Sequence, residues 1–294
     1  MTVADYKVVL EDLARMQTMF LMLSGGEPMI HPDFFEIGAM TRDLGFVTRI
    51  RTNGHSLSPR MVKRVTNEVD PYIVEVSLHG AAAETHDRQT QVPGSFEKLK
   101  NNIAHGRDAG LRMSVVTTPT KWNEHEIEEM FRLCDDLDVP LRFQGPVAPR
   151  DNGDTTPLSI QPSAHAWNLI QEFQKSRSRG ADSEIAESAL MDSFDQKSKT
   201  TPATCSVGVA GVDIDPFGNV QACMHLQESA GNLHDQSIEE IWINSPLFSR
   251  ARSRAIEAAK QFENTPKRQM GAHLYCLAVE ENMQKGVKVP VPTR

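Results

Sequence analysis

The chain has 294 residues, with 31 Lys and Arg against 39 Asp and Glu and a net charge of -8, a length that favours one large unit joined to a smaller one. The acidic balance argues against nucleic acid or an anionic membrane surface as a partner. No apolar run approaches the roughly 18 residues of a spanning helix, and no basic-then-apolar targeting pattern opens the chain, so a cytoplasmic protein is expected.

Helical and strand periodicities alternate over the first half, as in repeated α–β units on a parallel sheet. Ala4 to Gln17 reads as a helix, with Val8, Val9, Leu13 and Met16 at helical spacing, and Met19 to Leu23 as a short buried strand. Asp33 to Leu44 is the next helix, Phe46 to Thr52 the next strand, and Ser58 to Glu68 a helix with a Ser cap and Pro in its first turn. Tyr72 to Leu78 is a strand, Ser95 to Gly110 a helix capped by Ser95, Leu111 to Thr117 a strand, and Glu124 to Leu137 with Pro140 to Gln144 a last pair. Asn123 is placed to cap the helix at Glu124. The crossover lengths imply parallel order.

Pro, Asp, Asn, Gly and Thr cluster without periodicity over 146–162, so a boundary falls there and the chain divides into 1–150, 151–204 and 205–294. Ser163 to Ser178 reads as a helix. Val207 to Ile214 and Val220 to Cys223 form a hairpin turning through Asp215 to Asn219, and Ser237 to Lys260 is mostly helical.

Four cysteines, Cys134, Cys205, Cys223 and Cys276, are too few for a disulfide framework in a chain of this length. Cys134 lies on the apolar face of a helix and reads as core. Cys205 and Cys223 bracket the hairpin, where thiolates on two arms of a turn can converge on one iron–sulfur or zinc centre; the alternative is that they are inert buried thiols.

Ser24-Gly25-Gly26-Glu27-Pro28 follows an apolar strand directly. Paired glycines there leave the backbone open to a ligand, and Glu27 adds an acceptor; a plain strand-to-helix turn is the alternative. Thr52-Asn53-Gly54 ends the next strand and Ser77-Leu78-His79-Gly80 the one after, followed by Glu84 to Arg88 and Pro93-Gly94-Ser95-Phe96. Strand ends are where parallel α/β folds collect ligands.

Taken together, these strings resemble the radical S-adenosylmethionine (radical SAM) enzymes. That resemblance implies a partial (β/α)6-type parallel barrel lacking its first strand, and cofactor contacts from Ser24, Gly25, Gly26, Glu27, Asn53, Ser77 and Arg88. Gly25, Gly26 and Glu27 would meet the methionine amino group, Ser77 the ribose or carboxylate, and Arg88 the carboxylate. His79 is left without a role, because a strand-end histidine is more often structural.

The second half resembles the SPASM iron–sulfur extension of that family, with Gly218 between Cys205 and Cys223, then Gly231-Asn232-Leu233 and Ile238 to Trp242. Of the four-cysteine run that follows in full SPASM domains, only Cys276 remains, the other positions reading Glu263, Pro266 and Ala272. The resemblance therefore implies one auxiliary 4Fe-4S cluster on Cys205, Cys223 and Cys276, with His225 or His273 as a possible fourth donor, in a small α+β extension. No cysteine precedes Cys134, so the three-cysteine loop of the catalytic cluster is absent from this sequence.

The implied activity is that of an oxidoreductase or maturase acting on a peptide or protein substrate through a 5′-deoxyadenosyl radical, fed by an electron donor. The sequence as it stands lacks the loop this chemistry needs. Either a strand and cluster loop precede Met1 in the intact protein, or the chain is a non-catalytic homologue kept as a peptide- or partner-binding module.

Overall fold

In the computed structural model the described residues are 1–145, 147–150, 154–178, 207–224 and 226–264. They fall into two units, Met1–Gly145 and Pro146–Arg294, each taken by itself.

In the first unit α1, Val3–Arg15, starts on a capping box in which Thr2 and Asp5 satisfy each other's backbone N–H. β1 (Phe20–Leu23), α2 (Phe34–Asp43), β2 (Val47–Thr52), α3 (Pro59–Arg64) and β3 (Ile73–Ser77) follow. As expected, the Ser58 hydroxyl caps α3 at Met61 N, with Pro59 in the first turn. Next come α4 (Ala83–Thr90), α5 (Ser95–Asp108), β4 (Met113–Thr117), a 3-10 turn at Glu124–Glu126, α6 (Ile127–Asp136) and β5 (Leu141–Phe143).

The five strands form one parallel sheet in the order β1-β2-β3-β4-β5, the arrangement the crossover lengths require. Register separates two faces. Thr48, Ile50, Val74, Val76, Val115 and Thr117 are buried on one; contacts on that side include the Thr48–Thr41 hydroxyl pair, 3.0 Å, between β2 and α2, and the Phe131–Phe143 rings of α6 and β5. The alternate positions Arg49, Arg51, Glu75, Ser77, Ser114 and Arg142 lie on the opposite face, because side chains alternate along a strand.

Three expectations need correction. β1 is not buried: Phe20 is 55% and Met22 40% exposed, because β1 is the edge strand of the described sheet and pairs only with β2. Ser95 is the first helical residue of α5 rather than its cap. Gly94, at φ 81°, takes the cap position, and the Asp87 carboxylate accepts from Gly94 N at 2.6 Å, Phe96 N at 2.8 Å and the Ser95 hydroxyl at 2.8 Å. Asn123 makes no side-chain cap to the turn that follows it. Helix α4 was not anticipated, since its N-cap, Ala82, offers no side-chain acceptor.

In the second unit α7, Ala164–Ser178, precedes an antiparallel sheet of β6 (Asp213–Ile214), β7 (Asn219–Cys223) and β8 (Leu226–Asn232). The expected turn is tied by the Asp215 carboxylate, which accepts from Phe217 N at 2.8 Å and Asn219 N at 2.9 Å. β8 lies in a stretch that lacks strand alternation and is held by pairing with β7. α8, Ile238–Asn244, starts on a Ser237–Glu240 capping box, and α9, Pro246–Asn264, buries Phe248 against Trp242. Among the described residues, no helix is long and apolar enough to cross a membrane.

Candidate functional site at the strand tips

The C-terminal ends of β1, β2 and β3 are neighbours on one edge of the parallel sheet, and each carries one of the predicted strings. After β1, Ser24, Gly25 and Gly26 are exposed. Gly25 has φ +133°, a conformation that side chains disfavour, and a Cβ added at Gly25 or Gly26 would meet nothing within 4 Å. This stretch of backbone therefore borders open space, which fits close approach of a ligand such as S-adenosylmethionine.

Glu27 is not a free acceptor beside that space. One carboxylate oxygen accepts from the Thr52 hydroxyl at 2.8 Å and from Met29 N at 3.2 Å, and the other from Thr52 at 2.9 Å and Asn53 N at 2.8 Å. These contacts use most of what a carboxylate can accept, so Glu27 clamps the tip of β1 to the tip of β2. The Asn53 side chain turns back to its own loop, accepting from His55 N at 2.9 Å, and its residue is exposed.

Ser77 closes β3, half-buried, in register with Val116. Arg88 lies exposed on α4, its guanidinium 3.4 Å from the Trp122 carbonyl. Beside them His86 is buried, its Nδ1 accepting from His79 N at 3.2 Å. Its pKa falls from 6.5 to about 4, first through desolvation and then through repulsion from His79. Desolvation lowers the His79 pKa as well. Both rings are thereby biased to the neutral form, in keeping with a structural pair.

Two further groups belong here: Glu126, for which the sequence carries no local signal, and Asn123, which reads there only as a helix cap. Glu126 is buried and accepts from Ala81 N at 2.6 Å, from Ala82 N at 3.3 Å and from the Thr85 hydroxyl. Asn123, fully buried, donates to the His79 carbonyl at 3.2 Å and the Thr118 carbonyl at 3.1 Å and accepts from Thr120 N at 2.7 Å. Their bonds to Ala81 and to the His79 carbonyl span more than forty residues of sequence. A groove of about 500 Å³ beside α2 and α3, lined by Phe35, Arg42 and Arg64 among others, includes none of the predicted residues.

In the second unit Cys223 ends β7, half-buried. Cys205, Cys276, His225 and His273 lie outside the described residues. No group of three or more His, Cys, Asp or Glu able to hold a metal occurs among the described residues. Cys134 is buried in α6, as expected of core.

Residues 1–134 match the radical SAM superfamily and residues 205–268 match SPASM, an iron–sulfur cluster-binding domain. The chain is 28% identical over 266 residues to the AdoMet-dependent heme synthase of Methanosarcina barkeri, covering 86% of this chain and 76% of that protein. It is 28% identical over 255 residues to the mycofactocin maturase MftC of Mycobacterium tuberculosis, covering 84% of this chain and 63% of that protein, just under two thirds of its length. A solved structure, native anSMEcpe with bound AdoMet and Cp18Cys peptide, superposes with TM-score 0.67 at 14% identity over 97% of this chain and 89% of that one, a likeness of fold. The two matched segments, the parallel sheet with glycines at its first tip and the small antiparallel sheet whose middle strand ends in Cys223 agree, and the chain belongs to the radical SAM superfamily with a SPASM segment.

Proposed function

We propose that this chain forms the S-adenosylmethionine-binding and substrate-handling body of a radical SAM/SPASM oxidoreductase or maturase that acts on a peptide or protein. One observation carries the reading: the bare Gly25–Gly26 backbone after β1, Ser77 at the end of β3 and the α4 segment bearing Arg88 after it belong to one end of the same sheet. S-adenosylmethionine, when bound and reduced, supplies a 5′-deoxyadenosyl radical for hydrogen abstraction. Ser24, Gly25 and Gly26 offer backbone groups to its amino end, Asn53 borders it, Ser77 meets the ribose or carboxylate, and Arg88 pairs with the carboxylate. Glu27 shapes this end of the site through its clamp on Thr52 and Asn53.

The peptide substrate is supported by a maturase among the relatives and by a peptide-bound structure of the same fold. On this reading the sheet is a partial barrel in which the open edge of β1 takes a further strand. Cys205, Cys223 and Cys276 hold one auxiliary 4Fe-4S cluster, and an electron donor completes the partners. No ligand of the catalytic cluster is assigned, since no cysteine precedes Cys134. The second reading is a non-catalytic module that binds a peptide or partner on the sheet.

Titration of the anaerobically reconstituted chain with S-adenosylmethionine tests the site, and in-frame translation of the DNA upstream of Met1 separates the two readings. Saturable binding that Arg88→Ala weakens supports the site, and absence of binding rejects it. A three-cysteine loop found upstream supports the enzyme, and an in-frame stop close to Met1 supports the module. Iron and sulfide that Cys223→Ala removes would support the auxiliary cluster, whereas iron retained in that variant would count against it.

A further inference from the structure

The first turn of a helix leaves its N–H groups without intrahelical partners, and these must be satisfied from outside. In α4 the N-cap is Ala82, which has no side-chain oxygen. Glu126, 44 or 45 residues away, accepts from the N–H of Ala82 at that N-cap and of Ala81 just before it, and from the Thr85 hydroxyl in the first turn. A carboxylate at a helix N-terminus is also favoured by the helix dipole.

The fit is close. A Cβ added at Gly80 would come 2.6 Å from Thr85 Cγ2 and 2.9 Å from Glu126 Oε2, so glycine is required for the carboxylate to reach the turn. Arg88 lies three residues beyond Thr85, on the same face of α4, and bonds back to the Trp122 carbonyl. Trp122 belongs to the loop between β4 and α6 that ends at Glu126, and Asn123 ties that loop to the His79 carbonyl. The tip of β3, α4 and this loop thus form one keyed unit.

We propose that Glu126 is a positioning residue for S-adenosylmethionine, acting through α4 to set Arg88; this rests on the cofactor site assigned above. The carboxylate serves both backbone N–H groups with one oxygen and the Thr85 hydroxyl with the other; an amide can keep the first only by turning its N–H₂ toward Thr85, whose hydroxyl must then accept and loses the acceptor for its own O–H. The Thr85 hydroxyl is the matching half of the contact.

The test is the dissociation constant of S-adenosylmethionine for the full chain, read by calorimetry in the wild type, Glu126→Gln, Arg88→Ala, the double variant, Thr85→Ser and Thr85→Val. The expected result is about a tenfold loss for Glu126→Gln, the scale of one buried donor left unsatisfied. Little further loss is expected when it is added to Arg88→Ala, because the two act in series. Thr85→Ser should bind as the wild type and Thr85→Val should be weakened, a pair that decides the matter even if Glu126→Gln fails to fold. Losses that add in the double variant, or Thr85→Val binding as tightly as the wild type, would overturn the positioning role and leave the cofactor site standing. A wild type that binds no S-adenosylmethionine, or an Arg88→Ala variant that binds it unchanged, would overturn both.

Discussion

Glu75 and Arg51 are register partners on β3 and β2, and Arg51 closes on one carboxylate oxygen through Nε at 3.1 Å and Nη2 at 2.6 Å. The other oxygen lies 3.6 Å from Arg49 Nη2. In the amide orientation that satisfies both groups, Gln144 Oε1 accepts from Arg51 Nη1 at 2.6 Å. An otherwise apolar sheet thus carries a charged network on the face away from its helices.

Glu75 is 2% exposed, so removing it leaves guanidinium groups close together with little water to screen them. Glu75→Ala should destabilise the chain by about 3 kcal/mol, and Glu75→Gln by less. Urea unfolding at unchanged slope measures this. A loss within a few tenths of zero would mean that the network contributes no net stability.

Thr52 joins both oxygens of Glu27 and also accepts from Gly54 N at 3.0 Å. Thr52→Val keeps the shape and deletes the hydroxyl, leaving the Gly54 N–H unsatisfied and the clamp between the tips of β1 and β2 slack. A stability loss of about 2 kcal/mol is expected. Faster hydrogen exchange confined to residues 24–30 and 52–55 would mark the loosened clamp, and unchanged exchange there would contradict it.

Gly54 has φ +75°, and a Cβ there would come 2.4 Å from Leu99 Cδ1 and 2.6 Å from Val76 Cγ1. Gly54→Ala therefore combines a disfavoured backbone with overpacking between β3 and α5, at a cost of about 2–3 kcal/mol. Leu99→Ala is itself costly at this buried position, but the double variant should lose less than the sum of the two because it makes room; purely additive losses would assign the cost to the backbone and Val76.

His86 titrates near 6.5 when unfolded and at about 4 when folded. The unfolded chain therefore binds the extra proton between these values, so stability is full above pH 6.5 and falls as pH drops toward 4. The linkage is at most about 3 kcal/mol, lowered further by solvent screening. His86→Asn should flatten this limb of a pH–stability profile; a limb of the same size in the variant would show that another group carries it. Asp87 acts lower still, since hydrogen bonds from Phe96, Ser95 and Gly94 outweigh its desolvation and depress its pKa below 3.8.

Much of the frame was written locally. The Ser58–Pro59 start of α3 needed only neighbours in sequence to form, as did the turn held by Asp215. The same holds for the apolar alternation that recurs in β2 through β5, and the glycine string after β1 marked the site for the same reason: a bare backbone is visible in the residues themselves. α4 was invisible because its N-cap, Ala82, carries no side-chain acceptor and the carboxylate that anchors its start, Glu126, stands more than forty residues away, and β8 because its order comes from β7.

By itself, then, the sequence determined the alternation of strands and helices, their parallel order and which tips carry bare glycines and polar side chains, because these follow from periodicity, turn chemistry and crossover length. Only the tertiary structure decided what each polar group does with its bonds: Glu27 spent on Thr52, Asn123 on the β3 tip, Ser95 displaced as a cap by Asp87, and His86 stripped of water. The physical reason is that a buried donor or acceptor is satisfied by whichever partner the fold brings within about 3 Å, and that distance has no counterpart along the chain.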